Sequence, residues 1–186
     1  MSYRIFIADD EPLIRADLKE LLEEMGHNVV AEADDGQHVL DTVETINPDV
    51  VILDIKMPQV DGIRVAKKIS GRFPVIFLTA YTNRQLIKEA KDSGGMAYLA
   101  KPFREEDLAP AIELSITQFL KTSKLTQKVS RLKEQLENRK VIEKAKGLLM
   151  QNENLSEVEA YRKLQKISMK KNRSMKEVAD AIILMM

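Results

Sequence analysis

The stretch VVILDIKMP (residues 50–58) sets a carboxylate, Asp54, directly after four apolar residues. A short apolar run of this kind suits a strand buried on both faces, as in a parallel sheet covered by helices. Four more β-rich runs share its character: YRIFIA (3–8), NVVAEA (28–33), PVIFLT (74–79) and MAYLA (96–100). Between them lie amphipathic segments such as PLIRADLKELLEEM (12–25), with Leu18, Leu21, Leu22 and Met25 on one face. Strands alternating with helices predict an α/β domain built on a five-stranded, parallel, doubly wound sheet. In such sheets, functional groups gather at the carboxyl ends of the strands. Asp54 is therefore either a turn cap or a reactive group held at the mouth of the sheet.

Composition narrows the functional classes. The 186 residues contain no cysteine, which excludes disulfides and thiol chemistry, and the two histidines are too far apart to suggest a zinc site. MSYRIFIADD (1–10) meets acids before a signal-like apolar run develops, and no stretch reaches the ~18 apolar residues of a membrane span. No membrane association and a cytoplasmic location are expected. The net charge of zero hides an asymmetry: residues 1–119 hold 13 Lys/Arg against 21 Asp/Glu, and residues 120–186 hold 16 against 8. The basic half points to an anionic partner.

After KPFREEDLAP (101–110) a helical pattern runs without Gly or Pro from Ala111 to Lys146. Leu125, Val129, Leu132 and Leu136 follow 4-3-4 spacing within it, the seam of a short coiled coil. A single amphipathic helix docked on its own domain would show the same spacing. Three helical stretches are predicted at about 138–151, 156–168 and 174–185. SEVE (156–159) and SMKE (174–177) supply capping boxes that start the second and third. The expected organisation is a domain over 1–119, a coiled-coil linker helix over 120–137 and a small three-helix bundle over 138–186.

At the strand ends stand Asp9 and Asp10, Asp54, Thr79 and Lys101. Neighbouring carboxylates raise one another's pKa unless a cation intervenes, and a few carboxylates with water suit octahedral Mg²⁺. A metal, a hydroxyl and an ammonium around one carboxylate suit phosphoryl transfer, with Asp54 attacking and the others neutralising oxygen charge. With DD at 9–10, Asp54 in LDIKMP, DG at 61–62, Thr79–Ala80 and KP at 101–102, residues 1 to about 120 resemble a two-component response-regulator receiver domain. The resemblance implies a flavodoxin-like fold and phosphorylation of Asp54 by a sensor histidine kinase. It implies Mg²⁺ held by Asp10, Asp54 and the Lys56 backbone carbonyl, with Asp9 acting through water. Thr79 and Lys101 would grip the phosphoryl oxygens, Tyr98 would be the aromatic switch, and the Lys101–Pro102 bond would be cis.

In the basic half, Lys140, Lys144, Gly147 and Gln151 share one helical stripe opposite Val141, Ile142, Ala145, Leu148 and Leu149. Glycine costs a helix interior about 1 kcal/mol against alanine, which suggests either nucleic-acid approach or tight helix packing at Gly147. Lys170, Lys171 and Arg173 beside a helix start could cradle phosphate. Tyr161 lies at helical spacing with Val158 and Leu164, which predicts core packing. With AKGLLM, SEVEAYRKL and NRSMKEVA as its pieces, residues 138–182 resemble the ANTAR domain of transcription antitermination regulators. That resemblance implies binding to paired hairpin loops in leader RNA, as a homodimer on activation or RNA binding. The candidate RNA contacts are Lys140, Lys144, Lys146, Gly147, Arg162, Lys170, Asn172 and Arg173. A DNA-binding regulator is the alternative, although the apolar ADAIILMM (179–186) makes a poor reading helix. No catalytic constellation follows residue 120, so an enzymatic output is not expected.

Overall fold

Five strands form where the apolar runs place them: β1 (Arg4–Ala8), β2 (Asn28–Ala33), β3 (Val50–Asp54), β4 (Val75–Thr79) and β5 (Ala97–Ala100). The computed structural model describes residues 2–80, 88–90 and 92–185. All pairings are parallel, in the order β2-β1-β3-β4-β5. Side-chain alternation divides the strands between two cores. Phe6, Ala8, Val51, Leu53 and Phe77 pack with α2 (Gly36–Ile46) and α3 (Gly62–Ile69). Ile5, Ile7, Ile52, Ile76 and Leu78 pack with α1 (Pro12–Glu24) and the first turns of α4 (Glu105–Glu153). Both faces are covered, which is why every residue of β3 and β4 is buried.

The topology creates the crevice. From β1 the chain moves to β2 on one side and returns to β3 on the other, so the carboxyl ends of β1 and β3 flank a switch point. Register then aligns the ends: Ala8 pairs with Leu53, Asp54 with Leu78, and Thr79 with Ala100. The loop after β3 is fixed by its own hydrogen bonds. Gly62 N–H donates to the Ile55 carbonyl at 3.0 Å, and the Asp61 carboxylate caps α3 by accepting from Arg64 N–H at 2.8 Å.

The chain divides into two compact units, residues 1–124 and 125–186, and α4 contributes to both. In the second unit, Ala145 and Leu149 of α4 pack with Ala160 and Leu164 of α5 (Glu157–Lys171) and with Val178 and Ala179 of α6 (Met175–Met185). The Ser156 capping box is complete, with Ser156 N–H donating to Glu159 Oε2 at 2.9 Å and Glu159 N–H to Ser156 Oγ at 3.4 Å. Ser174 and Glu177 repeat the exchange at 2.8 and 3.2 Å. The helical pattern read from Ala111 to Lys146 is one long helix, which runs on to Glu153; it differs from the sequence expectation in beginning at Glu105 instead of after Pro110. Pro110 has no N–H to give to the Glu106 carbonyl, so the helix runs through it with one i→i−4 hydrogen bond forgone.

Gly62 permits a close approach that no other residue would. A Cβ there would stand 2.1 Å from the Asp54 backbone oxygen. Gly62→Ala must displace the loop that carries the Asp54 carboxylate. Urea unfolding should show a loss of about 1–3 kcal/mol, and an unchanged midpoint would contradict this packing.

Candidate functional site

The strand-end residues converge on a cleft of about 220 Å³ lined by Asp10, Glu11, Asp54, Ile55, Lys56, Thr79, Ala80 and Lys101. At its centre one ammonium serves two carboxylates. Lys101 Nζ lies 2.9 Å from Asp54 Oδ1 and 2.7 Å from Asp9 Oδ2, with Glu11 Oε1 at 3.3 Å. The other Asp54 oxygen accepts from Lys56 N–H at 2.7 Å, and Asp9 Oδ1 accepts from Glu11 N–H at 3.0 Å. Asp9 Oδ2 is buried and accepts no well-angled hydrogen bond among the described residues; the Lys101 ammonium is its ion-pair partner. Arg15 Nη1 donates to the Asp9 carbonyl at 2.6 Å and steadies the turn. The Lys101–Pro102 peptide is cis.

Protonation energetics show that the pair is unbalanced. Burial raises the Asp54 pKa, Lys101 lowers it in part, and the Asp9 charge raises it again. Burial alone would lower the Lys101 pKa, but close contact with the Asp9 and Asp54 carboxylates and their charges reverses that and raises it. Both shifts are consistent with one cation shared among several acids: the ammonium is well satisfied and Asp54 is not. Further positive charge would relieve the carboxylate.

The donors offered to such a cation are all oxygens, from Asp54, from Asp10 at the exposed rim and from the Lys56 carbonyl, and this set fits a hard divalent ion. Asp9 is buried behind the cleft and does not line it. Among the described residues, no three His, Cys, Asp or Glu side chains form a ready-made metal cluster. Tyr98 lies half-buried on β5, its ring stacked on Phe77 with centroids 5.8 Å apart and its hydroxyl 3.5 Å from the Gly95 carbonyl. Burial, helped by Asp92, pushes its phenol up to about 12.

The basic candidates are distributed over α4, α5 and the α5–α6 turn. Lys144, Arg162, Lys170 and Arg173 are exposed, and exposed Lys140 pairs with Glu137 at 2.8 Å. Asn172 ends α5 in the left-handed conformation, φ 49°. Beyond its own stretch of helix, no described atom lies within 4 Å of a Cβ built on Gly147, so close packing against another described residue does not explain that glycine. Two expectations need correction. Lys146 is not a free cation: its side chain is buried, and its ammonium lies 2.7 Å from Glu157 and 2.9 Å from Glu143. Tyr161 and Val158 are not core residues; both are exposed, and only Leu164 of that trio is buried. The sequence reading also missed Glu11 and Arg15, although their position beside the Asp9–Asp10 pair was a signal.

Residues 5–113 match the response regulator receiver domain family and residues 130–183 match the ANTAR domain family. The transcriptional regulatory protein PdtaR of Mycobacterium tuberculosis is 44% identical over 182 residues, covering 97% of this chain and 89% of that protein. The signal receiver domain of the response regulator NarL from Mycobacterium tuberculosis superposes with a TM-score of 0.60 at 29% identity, covering 62% of this chain and 97% of that one. CheY in a CheX–CheY–BeF3–Mg complex from Borrelia burgdorferi gives a TM-score of 0.56 at 26% identity, over 59% and 86% of the two chains.

A carboxyl whose folded pKa is raised keeps its proton longer in the folded chain than in the unfolded one. Stability therefore falls as pH rises from the ordinary carboxylate range through the folded pKa of Asp54, and stays lower above it. Asp54→Asn should raise the thermal midpoint at pH 7 in metal-free buffer, and the gain should shrink towards pH 4. Added Mg²⁺ should stabilise the wild type more than the variant. Scanning calorimetry at two pH values checks both, and a variant less stable at pH 7 would contradict the charge imbalance.

Proposed function

This chain belongs to the response regulators, with an N-terminal receiver domain and a C-terminal ANTAR domain, and we propose that phosphorylation of Asp54 controls its binding to hairpin loops in leader RNA. Its output is then transcription antitermination. The observation that carries the receiver half is the placement of Lys101 Nζ 2.9 Å from Asp54 Oδ1, in a cleft that also contains Thr79. An Asp54 oxygen attacks the phosphorus of a phosphohistidine on a sensor kinase. A P–O bond forms, the P–N bond breaks, and the leaving imidazole retains its electron pair and takes a proton. Lys101 and the Thr79 hydroxyl neutralise the charge that develops on the phosphoryl oxygens. Asp10, Asp54 and the Lys56 carbonyl would hold Mg²⁺, with Asp9 acting through water, and the ion would supply further neutralisation of those oxygens.

Occupying Lys101 and Thr79 with a phosphoryl group changes the surroundings of β4 and β5, where Tyr98 stacks on Phe77. Tyr98 is half-buried with a long hydroxyl contact, and it is the residue that would swing inward as the switch. The output half rests on the positive charge of residues 120–186 and on exposed Lys144, Arg162, Lys170 and Arg173. Leu125, Val129, Leu132 and Leu136 are at least half exposed along α4. Four such residues in 4-3-4 spacing are the seam through which two copies pair. Two tails brought together fit two hairpin loops and gain affinity through effective concentration.

Acetyl phosphate should add one phosphoryl group to the wild type in the presence of Mg²⁺, detected by intact mass. Asp54→Asn should take none, and equal modification of the variant would remove Asp54 as the acceptor. Replacing both Val129 and Leu132 with Asp should weaken binding to a two-loop RNA by about tenfold or more, with little effect on a single-loop RNA. Light scattering should show loss of the dimer in parallel. Equal losses on both RNAs would contradict pairing through α4, and preference for duplex DNA of the same sequence would favour a DNA-binding regulator.

A further inference from the structure

Helix α5 has apolar residues on two opposite sides. Ala160, Leu164 and Ile167 face the tail core. At helical spacings of three and four on the other side stand Val158, Tyr161, Arg162, Gln165 and Met169. Val158 is 58% exposed, Tyr161 45% and Met169 71%. A solvent-facing stripe usually carries charge, so an aromatic ring held open between apolar neighbours calls for a ligand. Tyr161 also borders a cavity of about 390 Å³, shared with Lys146, Glu157, Val158, Arg162 and Gln165.

The charges around this cavity select among ligands. The Lys146 ammonium is already held by Glu157 and Glu143, and its pKa is raised by those hydrogen bonds. Glu157 places a carboxylate at the wall, which disfavours a phosphate inside. A flat, uncharged group suits the space better: the Tyr161 ring offers a stacking face, and the Gln165 amide offers both a donor and an acceptor. Arg162, with its cation at the margin, can meet an anion just outside. The stripe is broken by Arg162 and Gln165, so it lacks the continuous apolar seam that a partner helix requires.

We infer that this cavity on α5 receives one unpaired base of an RNA loop, stacked on Tyr161, with Gln165 at the base edge and Arg162 on the adjacent phosphate. The assignment rests on the RNA-binding reading of the tail and gives it a specific pocket. Base stacking on an aromatic side chain is how single-stranded loops are commonly held, and its contribution is nearly independent of salt compared with phosphate contacts.

The full-length chain, treated with acetyl phosphate and Mg²⁺, is used to enrich hairpins from an RNA pool with a fixed stem and a randomised loop. Dissociation constants are then measured across a salt series for wild type, Tyr161→Leu, Tyr161→Phe and Lys170→Ala. Tyr161→Leu should bind at least about fivefold more weakly at every salt concentration, with the salt slope unchanged, whereas Tyr161→Phe should bind like wild type. Lys170→Ala should instead flatten the slope. On the same hairpins with abasic loops, wild type and Tyr161→Leu should bind alike. Circular dichroism and a thermal melt matched to wild type establish that Tyr161→Leu is folded, and Gln165→Ala, with a shifted loop preference, supports the same pocket independently. Wild-type affinity in Tyr161→Leu, or a change in its oligomeric mass with loop binding intact, overturns the pocket while leaving the RNA reading in place. Failure to enrich any hairpin overturns both.

Discussion

Lys101 reaches both Asp9 and Asp54 within 3 Å because parallel strands end in register along one edge of the sheet. An antiparallel sheet would send alternate strand ends to the opposite edge and separate these groups. The arrangement has a cost. Buried charges lose hydration worth several kcal/mol each, and a single ammonium cannot compensate two carboxylates and the nearby Glu11 equally. The remaining imbalance falls on Asp54, whose pKa is raised by burial despite its direct contact with Lys101. Asp54 is thus a carboxylate left short of positive charge, in a cleft lined with oxygen donors. The two apolar cores on either side of the sheet hold this edge in place.

The second unit is built differently. Its core contains three alanines among six buried residues, so burial alone supplies little stability. Local devices compensate: reciprocal capping boxes at Ser156 and Ser174, left-handed residues at Asn154 and Asn172, and the buried Lys146 between two glutamates. A cap contributes typically 0.5–2 kcal/mol, which is significant for a small bundle. The same economy leaves Val129, Leu132, Val158 and Tyr161 uncovered. Small alanines let the helices pack closely, and these larger side chains are left exposed.

The parallel sheet was legible in the sequence because β3 and β4 are covered on both faces, so their apolar runs contain no polar interruption. The convergence of Asp9, Asp54, Thr79 and Lys101 was legible for a related reason. Each stands at the end of an apolar run, and parallel strands bring such ends together. Lys146 was misjudged because its partner Glu157 lies on another helix, and a helical wheel of α4 alone cannot show it. Tyr161 was misjudged because α5 has two apolar stripes, and spacing does not indicate which one is covered. The start of α4 was placed too late because Pro110 reads as a helix boundary, yet the helix runs through it.

The central claim is that the state of Asp54 sets the affinity of the basic tail for RNA. The most direct test is a titration of one enriched hairpin RNA with the full-length chain in Mg²⁺, with and without beryllofluoride as a phosphoryl mimic. The Asp54→Asn variant is titrated in parallel. The mimic should tighten RNA binding by the wild type and have no effect on the variant. An affinity for RNA that is the same with and without the mimic in the wild type would contradict the claim.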